Sequence, residues 1–141
     1  MQKKSKNYSY IFESLAALCD VLTVKYGLGV RTRRAYLSKD KVALQNVVKE
    51  YSITERKLEI FYRKFRALWY KENNPTGFDV QDIRLGGLMQ RLRSCRERLE
   101  EFIAGEIDII PELEEEILNY RPELDSLGYF YWSGMATTNV L

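Results

Sequence analysis

Asn73–Phe102 reads Asn-Asn-Pro-Thr-Gly-Phe-Asp-Val-Gln-Asp-Ile-Arg-Leu-Gly-Gly-Leu-Met-Gln-Arg-Leu-Arg-Ser-Cys-Arg-Glu-Arg-Leu-Glu-Glu-Phe. This stretch decides the fold. It opens with turn chemistry: Pro75 fixes φ, and Asn73, Asn74 and Gly77 tolerate positive φ. Asp79 is placed to cap a helix, where a carboxylate meets unpaired amides and the positive helix end. Leu88, Leu92, Cys95, Leu99 and Phe102 then recur in steps of four, three, four and three, which makes an apolar seam on one helical face. Gly86 and Gly87 fall in the second turn. Each weakens a helix by about 1 kcal/mol relative to Ala, so the pair predicts close approach of another backbone. The helix is expected over 79–104, with Gly105 as its stop.

Upstream, two further helices are expected. The first spans 8–37, with Phe12, Leu15, Cys19, Leu22, Tyr26 and Val30 as its seam. Gly27 and Gly29 either break it or let a neighbour pass, and a continuous, kinked helix is the favoured reading. Arg31, Arg33 and Arg34 complement its negative end as solvated cations. Ser38 or Asp40 caps the second helix, 41–72, a rod of roughly 48 Å at 1.5 Å per residue. Its seam is Leu44, Val48, Tyr51, Glu55, Leu58, Tyr62, Phe65 and Trp69, widened by Val47, Ile53, Phe61 and Leu68.

Downstream, Pro111 suits the first position of a short fourth helix over 111–119, and the acidic run from Glu112 favours its positive end. Residues 120–141 carry Tyr129-Phe130-Tyr131-Trp132 between glycines and are expected to dock on the bundle or a partner, because a disordered tail is more charged and less aromatic. Residues 1–7 are basic and read as a disordered end. The expected fold is therefore all-α, a single domain: an antiparallel bundle of three long helices, a short fourth helix and an aromatic C-terminal tail.

The charge balance, 22 basic against 20 acidic residues, speaks against a dedicated nucleic-acid binder. There is no histidine, which removes the usual general base and the commonest metal ligand. No metal or cofactor motif is present: no phosphate loop, dinucleotide fingerprint or metal spacing occurs. Cys19 and Cys95 read as two buried thiols in a reducing, cytoplasmic setting. No signal-like run and no membrane-length apolar stretch is visible.

Catalytic constellations are scarce. Glu72, Asp79 and Asp82 flank the Pro-Gly turn, but capping and surface roles explain them more simply than a carboxylate pair for glycoside hydrolysis. The arginines of the third helix, Arg84 to Arg98, alternate with Glu97, Glu100 and Glu101, so intrahelical pairing is expected. Arg84, beside the glycine pair, is the candidate for a specific ion pair or interface contact. Trp69 reads as core, whereas Tyr129, Tyr131 and Trp132 are the aromatics available for an interface.

Trp69-Tyr-Lys-Glu-Asn-Asn-Pro-Thr-Gly-Phe-Asp-Val-Gln-Asp-Ile-Arg-Leu-Gly-Gly87, within a stretch from Arg66 to Leu92, resembles the C-terminal helical domain of a subgroup of bacterial family 20 glycoside hydrolases, the β-N-acetylhexosaminidases. Leu28–Tyr36, Ala104–Asp108 and Pro111–Glu115 are similar to such domains as well, so the resemblance covers residues 10–120. It implies a parent enzyme whose (β/α)8 barrel precedes this domain and cleaves terminal N-acetylhexosamines with an Asp-Glu pair and the substrate's own acetamido group. No Asp-Glu dipeptide occurs in this chain, so no catalytic residue carries over. The expected partners are that barrel and, secondarily, a second copy in a homodimer, with Arg84, Gly86, Gly87, Tyr129, Tyr131 and Trp132 as the interface residues. Neither nucleic acid nor membrane is an expected partner. The competing reading is a stand-alone helical adaptor.

Overall fold

Alternating steps of three and four hold one face of a helix in register over many turns. Residues 41–72 keep that rhythm longest, and the bundle is built on them. A computed structural model of the chain describes residues 8–115. These form α1 (Ser9–Lys25), α2 (Leu28–Leu37), α3 (Lys41–Glu72), α4 (Phe78–Ala104) and α5 (Pro111–Glu114), with no strand among the described residues. The fold is the expected all-α antiparallel bundle.

α3 is the hub. Asp40 caps it, accepting from the amides of Val42 and Ala43 at 3.0 Å. Its buried residues Leu44, Val47, Tyr51, Thr54, Leu58 and Phe61 step three, four, three, four and three. Contacts along its length show that both flanking limbs run antiparallel to it. On one side, Tyr10 meets Glu72, Lys57 meets Asp20 and Arg31 meets Glu50. On the other, Tyr62 meets Asp82, and Arg96 meets Ser52.

The turn into α4 works through Gly77, whose φ of 97° suits a residue without Cβ, and it is Gly77 that occupies the N-cap position. Asp79 lies inside the first turn of α4, where its charge still faces the positive helix end. Phe78 sits at the centre of an aromatic cluster with Tyr62, Phe65, Trp69 and Tyr70, all with ring centroids within 6.1 Å of it. Trp69 is half-buried there, and its indole donates to the Asn74 carbonyl at 3.0 Å. Gly105, at φ 80°, ends α4 as expected.

The single helix expected over 8–37 is two. The interruption falls at Tyr26–Gly27, and Arg31 explains it. Its guanidinium donates back to the Val24 carbonyl at 2.8 Å and pairs with Glu50 of α3 at 2.7 Å. On that path it passes 2.5 Å from where a Cβ on residue 27 would lie, so a larger residue there would push the guanidinium off this path. The arginine thus satisfies a carbonyl orphaned at the end of α1 and ties the break to the hub.

The fourth helix, expected over 111–119, is one turn. Glu115 leaves helical geometry with ψ 143°, and residues 116–119 lie outside the described residues, as do the basic end 1–7 and the tail 120–141. Buried Tyr36 fixes this turn: its hydroxyl donates to Glu114 at 2.6 Å and accepts from the Ile110 amide at 3.1 Å. Arg33 donates to the Glu115 carbonyl.

Candidate interaction surface

α1 carries three charged residues in seventeen positions, Glu13, Asp20 and Lys25, so apolar side chains cover most of its circumference. A helix of that kind is normally buried on several sides. α3 covers one side. The face turned to the hub is the small one: Ser14, Ala17 and Val21, joined by Leu28, Thr32 and Ala35 of α2. Small residues let two helix backbones approach closely; Leu18 packs partly against the core, and several of the larger side chains are left outside.

Those outer side chains are the expected seam of this helix apart from Phe12, which is half-buried. Leu15 is 54% exposed, Leu22 47%, Tyr26 93% and Val30 65%, and Cys19 is exposed as well. With Ile11, they follow one another in steps of three and four down one side of α1 and onto α2. From Tyr8 to Val30, Asp20 is the single charged residue among the exposed positions. On α3, nine of the sixteen exposed residues are charged, so the outward face of α1 differs in kind from that of its neighbour. Contiguous apolar surface with so little charge is the mark of an interaction site.

The other candidate residues lie elsewhere. Arg84 is half-buried on α4. Gly86 and Gly87 are exposed, and a Cβ on either would meet nothing within 4 Å. The close backbone approach expected of this pair is therefore not made by any described part of the chain; the shoulder is open. Tyr129, Tyr131 and Trp132 lie outside the described residues. The arginines of α4 pair partly within their helix, Arg98 with Glu101 at 3.1 Å, but Arg93 and Arg96 both reach across to Glu55 of α3. Cys19 is on the surface and Cys95 half-buried, and both are free thiols.

Of the carboxylates that flank the Pro-Gly turn, Glu72 and Asp82 are engaged in fastening helices. Glu72 accepts from Tyr10, whose pKa is pushed up to about 12, chiefly by that hydrogen bond. Asp82 accepts from Tyr62 at 2.7 Å and raises its pKa too. Glu114 does the same for Tyr36. A cavity of about 390 Å³ opens between α2, α3, α4 and the segment around α5. Tyr51 lines it, 3.2 Å from the Thr32 hydroxyl, and burial raises the Tyr51 pKa. Glu112 is the one carboxylate among its described lining residues, so the two-carboxylate geometry of glycoside hydrolysis is not assembled there. No described helix is long and apolar enough to cross a membrane.

Comparison with known protein families matches residues 1–129 to the glycoside hydrolase 20C C-terminal domain. A search of curated proteins finds no match.

Proposed function

The chain belongs to the glycoside hydrolase 20C C-terminal domain family, and from that premise we propose that it is a non-catalytic accessory domain of a β-N-acetylhexosaminidase. The match over residues 1–129 carries this reading, because it takes in every described helix of the bundle. The parent enzyme hydrolyses terminal N-acetylhexosamines with a catalytic barrel that is a separate part of the protein. This domain packs against that barrel and supports a homodimer. Arg84 and the open Gly86–Gly87 shoulder of α4, with Tyr129, Tyr131 and Trp132 of the tail, are our assignments for the contact between copies. Two free thiols fit a cytoplasmic enzyme.

The chemistry of the chain supports a mechanical role. Tyr10, Tyr36 and Tyr62 spend their hydroxyls on Glu72, Glu114 and Asp82, each bond joining two elements of the bundle. The purified 141-residue chain should release no chromophore from a nitrophenyl N-acetylglucosaminide, while the intact enzyme does. Turnover by the chain alone would overturn the proposal.

A further inference from the structure

We infer that the outward apolar face of α1 and the start of α2, centred on Leu15, Cys19, Leu22 and Tyr26, is the seat of the parent enzyme's own catalytic domain; this rests on the function proposed above. Three observations converge on it. The face has the spacing of a helical seam, but no described part of the chain covers it. It has the composition of the centre of an interface, with Asp20 as its one exposed charge between Tyr8 and Val30. And it begins at the element that a C-terminal domain presents first to whatever precedes it, since α1 opens the bundle.

That last point selects the occupant. A catalytic domain joined to the start of α1 sits at an effective concentration in the millimolar range for a short flexible connection. A modest apolar face then suffices to hold it, where a second copy would have to assemble from dilute solution. α1 is about 25 Å long at 1.5 Å per residue, enough to lie along a neighbouring domain. The helix is also braced from behind. Tyr10 is tied to Glu72, Lys71 lies 3.4 Å from the centre of the Tyr10 ring, Lys57 donates to the Asp20 carbonyl, and Arg31 anchors the far end. A surface held this way is pre-organised for its partner.

Cys19 supplies the probe, because it stands within the face. Its rate of modification by a maleimide is compared in the 141-residue chain and in the intact enzyme, with Cys95 as internal reference. Protection of at least tenfold in the intact enzyme is expected, as is its loss in the double variant Leu15→Glu/Leu22→Glu, with Ile60→Glu on exposed α3 as the control that changes nothing. Equal Cys19 rates in the chain and the intact enzyme would overturn the inference. They would leave the accessory function standing if removal of this domain still lowers the melting temperature of the enzyme. If that removal has no effect, the function itself fails. Protection of Cys19 in the isolated chain, rising with concentration as a dimer forms, would hand the face to a second copy and equally overturn the inference. The labelling comparison needs no variant, so it decides the question even if the glutamates unfold the helix.

Discussion

α1 and α4 flank the same hub, both antiparallel to it, and they turn their apolar faces in opposite directions. α4 directs Leu92 and Leu99 into α3, and carries its charges outward or across to Glu55. α1 directs Ser14, Ala17 and Val21 inward and leaves Leu15, Leu22 and Tyr26 in water. The lesson is that periodicity locates an apolar stripe but does not say what covers it. α4 needs nothing beyond this chain to satisfy its seam. On α1 no described residue covers the large outward side chains, and a helix left in that state is open to a partner.

The largest test of this contrast is a pair of truncations. Leu99→Ala, at a residue 1% exposed, should destabilise the chain by about 2–5 kcal/mol in chemical denaturation. A loss below about 1 kcal/mol would mean that the α3–α4 interface is not the core. Arg31→Ala comes next. It removes the back-bond to Val24 and the pair with Glu50, so about 1 kcal/mol should be lost, discounted because the side chain is 42% exposed. The helicity of α1 should fall with it; nuclear magnetic resonance shifts of Leu22 to Tyr26 that do not move would separate the arginine from the break.

A third effect is tied to pH. The hydrogen bonds to carboxylates hold Tyr10, Tyr36 and Tyr62 above the ordinary tyrosine value of 10.0. Their stabilisation is complete below that value and is lost as pH rises through the folded values, which for Tyr10 is about 12. Unfolding free energy should therefore decline in the alkaline range. The decline should be shallower in Tyr10→Phe, and an identical slope would show that the tie between α1 and α3 contributes nothing.

Smaller still, Gly86→Ala should stabilise the isolated chain by about 0.5–1 kcal/mol, since nothing stands where the methyl would go. A destabilisation would reveal a neighbour at that shoulder. Smallest is Leu22→Lys, which should leave the stability of the isolated chain within about 0.5 kcal/mol. If it unfolds the chain, α1 is an ordinary core helix and the contrast collapses.

Much of the fold was legible because it rests on local rules. Asp40 as a cap, Gly105 as a stop, Pro111 as a start and the seam of α4 depend on residues a few positions apart, whereas on α3 the buried stripe runs through Val47, Thr54 and Phe61 and leaves the expected Val48, Glu55 and Tyr62 half-exposed, because two flanking limbs set which side of the hub is covered. What escaped depends on partners far along the chain. The break at Gly27 follows from where the Arg31 guanidinium lies against Glu50, nineteen residues on. The pairing of Arg93 and Arg96 with Glu55 could not be separated from intrahelical pairing without knowing which helices touch. The α1 surface was present in the sequence as a seam; its direction was not. The signal that could have revealed it was the second stripe, Ser14, Ala17 and Val21, whose small side chains suit a close crossing better than the larger ones beside them.

The outward side of α1 is expected to be covered when this domain belongs to a whole enzyme. Hydroxyl-radical footprinting of the intact enzyme against the 141-residue chain measures that side chain by side chain. Oxidation of Leu15, Leu22 and Tyr26 should drop sharply in the intact enzyme while Ile60 and Tyr70 on α3 react alike in both. Undiminished oxidation of all three in the intact enzyme would show that no catalytic domain sits on this face.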